Sequence, residues 1–441
     1  MLRLALTVLL LAILMIILFT PVDDTSFRES NFYQDTMAGL DSVRNVLDRQ
    51  PSGKVHIGWG QASITPESPV RLTGNHWQPF DTIYDPVYVR SFIFSNDYHK
   101  IALISYDLWI VHPQLAKAIS KAVEATDLGI TGIYFTASHT HSSVGGWGRG
   151  LLGKLVMGGN NHKMVDLLVQ STLTSLEAAN TNIEASVIGF GAVSTYNMVI
   201  NRLDRDGLVD DKIRLLKAKN RLGEQAVFTT FSAHPVYMDK NLNALSSDYP
   251  GPLLTYVKEL DSIGFASFGA GAMGSHSPVR TGPFVYENLL QYSRHLKDYI
   301  AGAEDGITMD STDILRFVQW PVTMRSPHFR ITDHWRVRPW LFHAVLGKNT
   351  GYITCLRIGN TVLVGLPVEL SGEFYSQFEA ICRQKGISLM ITSFNGNYLG
   401  YVNPENYYFT ISKPETREMN WYGPQAGEYI VALVNELLAI I

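Results

Sequence analysis

Apolar positions along this chain fall into two kinds of run. Short unbroken stretches of strand length occur at residues 100–109 (KIALISYDLW), 132–137 (GIYFTA), 226–232, 265–268, 361–366 and 388–393. Between and around them, apolar residues recur at spacings of three and four. That spacing predicts helices over 112–125, 164–179, 252–262, 288–301, 370–385 and 423–441. In the last of these the apolar positions are Tyr429, Val431, Val434, Leu437 and Leu438. Strand-like and helical runs alternate without a repeat, a low-complexity linker or a block of like charge. The pattern predicts an α/β fold, a single large mixed-sheet domain over residues 55–441.

The first fifty-four residues read differently. Arg3 precedes an uncharged apolar run, 4–19, and Asp23 and Asp24 follow it. About 20 apolar residues cross a bilayer, so the run sits at the short end for a spanning helix. No small-x-small cleavage site occurs around Phe19-Thr20-Pro21-Val22. Residues 1–20 are therefore expected to be a signal anchor, one N-terminal transmembrane helix with the body outside the cytoplasm. A cleaved signal peptide, and so a secreted body, is the alternative. Residues 21–54 are polar and are expected to form a juxtamembrane tether with one helix over 37–48.

Composition narrows the class. At 46% hydrophobic and 17% charged residues, against about 25% charged in an average domain, the chain supports a large core and excludes disorder. A net charge of −4 offers no basic field for nucleic acid. Two cysteines, Cys355 and Cys382, provide neither a disulfide framework nor a cysteine-rich zinc site. The sequence specifies neither their pairing nor an oligomeric state. Thirteen histidines are the more promising supply of ligands.

Candidate chemistry concentrates where strands end. Ala137-Ser138-His139-Thr140-His141-Ser142 leaves the strand at 132–137, and in extended chain His139 and His141 project from one face. Such an imidazole pair suits zinc, or it satisfies loop backbone; the motif alone leaves both readings open. His234 (Phe231-Ser232-Ala233-His234-Pro235) ends another strand, where a hydrogen-bonded core histidine is the commoner case. Glu369 stands where the helix 370–385 is expected to begin, a place the helix dipole favours for a carboxylate without any metal. The tyrosines of 393–402 and the Gly/Ser loop 269–278 carry no specific signal alone. That loop lacks the G-x-S-x-G elbow, because Ser275 is followed by His276 and Ser277.

Taken in order, these pieces match a family. TASHTHS with downstream glycines, then INR, FSAHP with SSD, a Gly-rich loop ending in SP, LPVEL, NYLGYV and WYGP resemble the neutral (non-lysosomal) ceramidases. The resemblance covers about Val55 to Tyr422, and His-Thr-His-Ser is its most specific motif. It implies a zinc ion held by His139, His234, Glu369 and Tyr401, with His141 and Arg202 at the substrate amide and Ser277 as nucleophile. Two imidazoles, a carboxylate and a phenol fit a hydrolytic zinc site that keeps room for water or substrate. Asp107 and Asp248 are candidates for orienting the ligating histidines, or for capping strand ends and loops.

The implied activity is zinc-dependent amidohydrolysis of ceramide-like lipids, giving fatty acid and long-chain base at a membrane. Departures from the pattern bear on the substrate. Val279 replaces an asparagine after Ser-Pro, a tyrosine gives way near Glu415, and the resemblance ends with the catalytic domain near Tyr422, so the family's following immunoglobulin-like domain is not expected here. Rival readings are hydrolysis of another N-acyl amide, a non-catalytic lipid-binding module, and a metal-free serine hydrolase using Ser277 with His276 or His141. Residues 148–158 (GRGLLGKLVMG) read as an apolar flap or buried helix. Residues 335–342 mix tryptophan and arginine, as at a membrane interface or in a core segment whose arginines reach solvent.

Overall fold

Strand Lys100–Tyr106 buries both of its faces. Ile101 and Leu103 join an apolar cluster with Phe92, Tyr134 and Phe228 and, from a second sheet, Leu356, Leu363 and Met390. Ala102, Ile104 and Tyr106 join another, with Leu115, Ile119, Leu168 and Leu176 of two helices. A strand covered on both sides has no polar face to alternate with, which is why it reads as an unbroken apolar run.

The computed structural model describes residues 2–74, 77–148, 153, 155–239, 241–261, 263–348 and 350–441, and the same plan extends through them. An eight-stranded sheet runs in the order Ile263–Ala270, Gln225–Phe231, Lys212–Asn220, Glu184–Ser194, His56–Ser63, Tyr88–Ser95, Lys100–Tyr106, Gly132–Ala137. A four-stranded sheet, Leu315–Val322, Gly351–Ile358, Thr361–Leu366, Ser388–Ser393, packs against its inner face. Helices Pro113–Glu124 and His162–Thr181 cover one half of the outer face of the large sheet. Pro250–Val257 and Tyr286–Glu304 cover the other half. Helices Leu40–Arg49, Tyr375–Lys385 and Ala426–Ile440 cover the small sheet. The expected mixed-sheet α/β domain is thus a four-layer α/β/β/α assembly built on two facing sheets. Apolar runs report that a strand is buried, but not which sheet it joins.

Three parallel pairs orient the strand ends. They are Lys100–Tyr106 with Gly132–Ala137, Gln225–Phe231 with Ile263–Ala270, and Thr361–Leu366 with Ser388–Ser393. Two helix limits move by five residues. The helix expected over 252–262 ends at Val257, and the one expected from 370 begins at Tyr375. Glu369–Leu370 is instead a short strand paired with Tyr401–Val402, so Glu369 owes its place to a remote partner rather than to a helix dipole.

The N-terminal expectation is corrected. The apolar run forms helix Leu2–Leu18, 17 residues or about 25 Å, against about 30 Å of hydrocarbon in a bilayer. Among the described residues, no helix is long and apolar enough to cross a membrane. The helix stops because Phe19–Pro21 pair antiparallel with Trp335–Val337. Arg338 Nε donates to the Ile16 carbonyl (2.7 Å) and Trp340 Nε1 to the Ile17 carbonyl (3.2 Å). Trp335 and Trp340 are exposed, whereas Arg336 and Phe342 are buried. Of the apolar flap, residues 151 and 152 lie outside the described residues; Leu155 is exposed and Met157 packs on the core.

Residues 21–54 dock on the body. They carry helices Asn31–Met37 and Leu40–Arg49, and Phe27, Leu40, Val43 and Leu47 are buried with Trp320 in the core under the small sheet. Trp320 Nε1 donates to the Thr36 carbonyl at 3.1 Å. The narrow stripe of Leu40, Val43 and Leu47 was submerged in a polar average. Cys355 and Cys382 are buried and free.

Candidate metal centre

His139 sits just past strand Gly132–Ala137, whose hydrogen bonding continues as Ser138 N–H donates to Tyr106 O (2.8 Å) and His139 N–H to Leu108 O (3.0 Å). Its φ of 69° is left-handed, a conformation costing a non-glycine residue about 1–2 kcal/mol. Two contacts offset that cost. The ring stacks on Phe394 (4.3 Å between centroids, 15°), and Nδ1 bonds the Trp109 carbonyl at 2.5 Å. A carbonyl only accepts, so Nδ1–H points at it and Nε2 is the nitrogen that faces the other side chains. The turn at His139, not an extended chain, brings His141 to it, ring against ring at 4.8 Å.

His234 follows strand Gln225–Phe231. The backbone beyond it is fixed by Asp248, which accepts N–H bonds from Tyr237 (3.1 Å), Met238 (2.9 Å) and Tyr249 (2.7 Å). Burial pushes the Asp248 carboxyl up to about 6, against the pull of those three bonds. Asp107 pairs with Arg90 at 2.8 Å and accepts from Tyr88 N–H at 2.9 Å. In these bonds both aspartates brace backbone and charge rather than orient imidazoles.

The three histidines converge: their ligand atoms all lie within 4.8 Å of one another. His141 Nε2 is 3.4 Å from His139 Nε2 and 3.1 Å from His234 Nε2. Burial, with the neighbouring charges of Arg202 and the other imidazoles, pushes His141 and His234 well below the ordinary range, so both are neutral. Glu369 comes from the other sheet. Tyr398 donates to its Oε1 at 2.7 Å. Its Oε2 is buried with no hydrogen-bond partner, 3.4 Å from His139 Nε2 and 3.8 Å from His234 Nδ1. Burial would raise Glu369, but His139, Tyr401 and Tyr398 hold it below the usual carboxylate range. The ring of Tyr401 lies parallel to His234 (6.4 Å, 7°). Burial and the Glu369 carboxylate push its phenol far above its usual value.

This donor set fits a divalent cation. An orphaned buried carboxylate oxygen facing two imidazole nitrogens is costly without a positive partner, and neutral imidazoles are the ligating form. His139, His234, Glu369 and Tyr401 thus lie near one another, and His141 stands close enough to form an alternative third imidazole. Sequence reasoning gave no role to Tyr398, to the Phe394 ring or to the Trp109 carbonyl. Only the tyrosine-rich NYLGYV segment held any signal for them, since a backbone acceptor leaves none.

Arg202 Nη2 reaches Gly274 O (3.1 Å), His234 Nδ1 (3.2 Å) and Tyr401 Oη (3.5 Å). With His141 it lines a cavity of about 820 Å³ that Val236, Met238, Arg280 and Phe284 also line. Ser277 is half-buried on strand His276–Pro278, opposite Ile200. Among the described residues its hydroxyl makes no hydrogen bond to the cluster. His276 turns away, its Nδ1 on Ser275 Oγ (2.7 Å) and its Nε2 accepting from Asp210 N–H (2.9 Å).

A buried cluster of histidines that could hold a cation, beside an open cavity and at strand ends of an α/β assembly, has the layout of a hydrolase centre. A family profile described as neutral/alkaline non-lysosomal ceramidase, N-terminal, matches residues 56–282. That is more than half of the chain, which therefore belongs to the neutral/alkaline non-lysosomal ceramidases, a hydrolase family. The matched span holds His139, His141, Arg202, His234 and Ser277 but not Glu369 or Tyr401. Solved structures share the fold. The neutral ceramidase from Pseudomonas aeruginosa superposes with a TM-score of 0.74 at 19% identity, covering 88% of this chain and 74% of that one. A ceramidase complexed with C2 gives 0.73 at 18% identity, over 88% of this chain and 75% of that one.

Proposed function

We propose that this protein hydrolyses the N-acyl amide bond of ceramide-like lipids, releasing a fatty acid and a long-chain base, with zinc held by His139, His234, Glu369 and Tyr401. The observation that carries the reading is the unpaired, buried Glu369 Oε2 aimed at two imidazoles. Bound zinc supplies Lewis acidity toward a carbonyl and lowers the pKa of water. The protein's own residues do the rest. His141, neutral and at the cavity floor, accepts a proton from the attacking hydroxyl and returns it to the leaving amine. Arg202, permanently charged, faces the oxygen on which charge develops.

In this reading Ser277 lies at the substrate, as nucleophile or as the group that positions water. His276 is not its base, since both ring nitrogens are engaged elsewhere. A metal-free serine route would then rest on His141. The apolar run between Arg3 and the acidic pair Asp23 and Asp24 has the layout of an export signal. It supports a body on the extracytoplasmic side, at a lipid surface or secreted.

The test is hydrolysis of a panel of N-acyl lipids by purified protein, with and without chelator. Cleavage of ceramide that chelation abolishes and zinc restores is the expected result. Cleavage indifferent to chelator would replace the zinc reading with the serine route, and cleavage of other N-acyl amides alone would change the substrate. Inertness with stoichiometric zinc bound would leave a lipid-binding module.

A further inference from the structure

A turn of 3₁₀ helix, Pro414–Thr416, closes over Arg202 from more than two hundred residues away. Lys413 Nζ donates to the Arg202 carbonyl, and Glu415 Oε1 lies 3.3 Å from Arg202 Nη2. The turn is itself tied to the segment that carries Tyr401. Asn403 Nδ2 donates to the Glu415 carbonyl (2.8 Å) and Tyr401 N–H to Met419 O (2.9 Å). From the other side Arg202 N–H donates to Ser275 O (2.7 Å).

One guanidinium nitrogen, Nη2, is therefore shared among Gly274 O, His234, Tyr401 and Glu415. Nε is buried and has no partner, in a side chain that lines the large cavity beside His141. The five N–H donors of a guanidinium lie in one rigid plane, so fixing Nη2 constrains the direction of Nε–H. A buried donor left open costs about 1–3 kcal/mol. That cost is recovered when a ligand oxygen completes the bond.

We infer that Glu415 is the positioning residue for Arg202, anchoring Nη2 so that Nε–H is presented to the carbonyl oxygen of the bound amide. The inference rests on the amide-hydrolase reading above and adds the group that aims its cation. Glu415 itself acts only through Arg202. Of the other Nη2 contacts, Gly274 O is a backbone atom, and His234 and Tyr401 belong to the metal centre. Glu415 is thus the one contact a substitution can remove without touching that centre.

Glu415→Ala and Glu415→Asp test it. The alanine variant is expected to lower kcat about 10- to 100-fold, less than the roughly 100- to 1000-fold of deleting an oxyanion donor outright, with KM within about threefold and zinc content unchanged. The aspartate variant, which keeps the charge on a shorter arm, recovers part of the loss. A crystal structure of Glu415→Ala is expected to show the guanidinium swung away from Gly274 O. Parental kcat, a loss confined to KM, or a guanidinium unmoved in that structure would overturn the inference. Should the parent protein cleave no N-acyl amide, the amide-hydrolase reading fails separately, and the position of Arg202 in the variant decides this one.

Discussion

His139 gives its Nδ1 proton to the Trp109 carbonyl across 2.5 Å, and this one bond decides which imidazole nitrogen faces the centre. Nε2 is left facing the gap shared with Glu369, His141 and His234. Orientation of a ligating histidine by a backbone acceptor is a common device at metal sites. Here the left-handed turn at His139 makes the acceptor reachable.

Removing ligands is expected to remove the metal. His139→Ala, His234→Ala and Glu369→Ala should each lose zinc on dialysis and turnover with it, while Tyr398→Phe weakens zinc by about 10- to 100-fold, as loss of an orienting partner does. Elemental analysis of each purified variant decides the matter. Stoichiometric zinc in all three alanine variants would place the ion elsewhere.

Ser277→Ala separates chemistry from metal binding. With no hydrogen bond to the cluster, the hydroxyl contributes nothing to holding the ion, so zinc content stays at the parental level. Turnover is expected to fall by at least about 100-fold if the hydroxyl attacks or positions water. Parental turnover removes Ser277 from the reaction.

Docking of residues 21–54 should be measurable as stability. Leu47→Ala empties a buried position in the cluster that also holds Trp320 and is expected to cost about 2–4 kcal/mol, read from denaturant midpoints. Deleting residues 1–54 should destabilise more, because it exposes the Trp320 face. An unchanged midpoint in both would show that the segment is not part of the folded body.

Acid should loosen the same corner. His328 Nε2 accepts the Asp23 N–H at 3.1 Å while Nδ1 donates to Ser326 O at 2.6 Å. Burial, reinforced by Arg336, pushes its pKa down to about 3, against about 6.5 in an unfolded chain. The unfolded state thus binds the proton first, and the stability His328 contributes is complete above pH 6.5. It is lost as pH falls toward 3, on the order of 5 kcal/mol in all. His328→Gln, which keeps an acceptor but does not titrate, should flatten the curve of unfolding free energy between pH 6.5 and 4. A slope as steep as the parent's would assign the acid transition to other groups.

Particular residues show where sequence reading reached. The strands ending at Tyr106, Ala137 and Phe231 were legible because burial on both faces leaves an apolar signature no solvent-exposed loop carries. Strand Glu184–Ser194 escaped, since its half-buried, glycine-interrupted pattern reports neither face clearly. Glu369 was expected as a ligand from the family resemblance of its motif but assigned to a helix, because its strand partner Tyr401 is thirty-two positions away and leaves no local periodicity. The Leu40, Val43 and Leu47 stripe was missed because three apolar residues among charges weigh little until Trp320 appears opposite them.

Composition and local pattern by themselves determined the α/β class, the strand ends where chemistry collects, and the motifs that assign the family. These are short-range properties, set by what a few neighbouring side chains can bury or expose. Tertiary structure alone decided that two sheets face each other, that the apolar N-terminal helix ends in a strand pairing with Trp335–Val337, and that Glu415 grips Arg202. Those depend on which distant segments meet, and a linear chain does not carry that information in its local spacing.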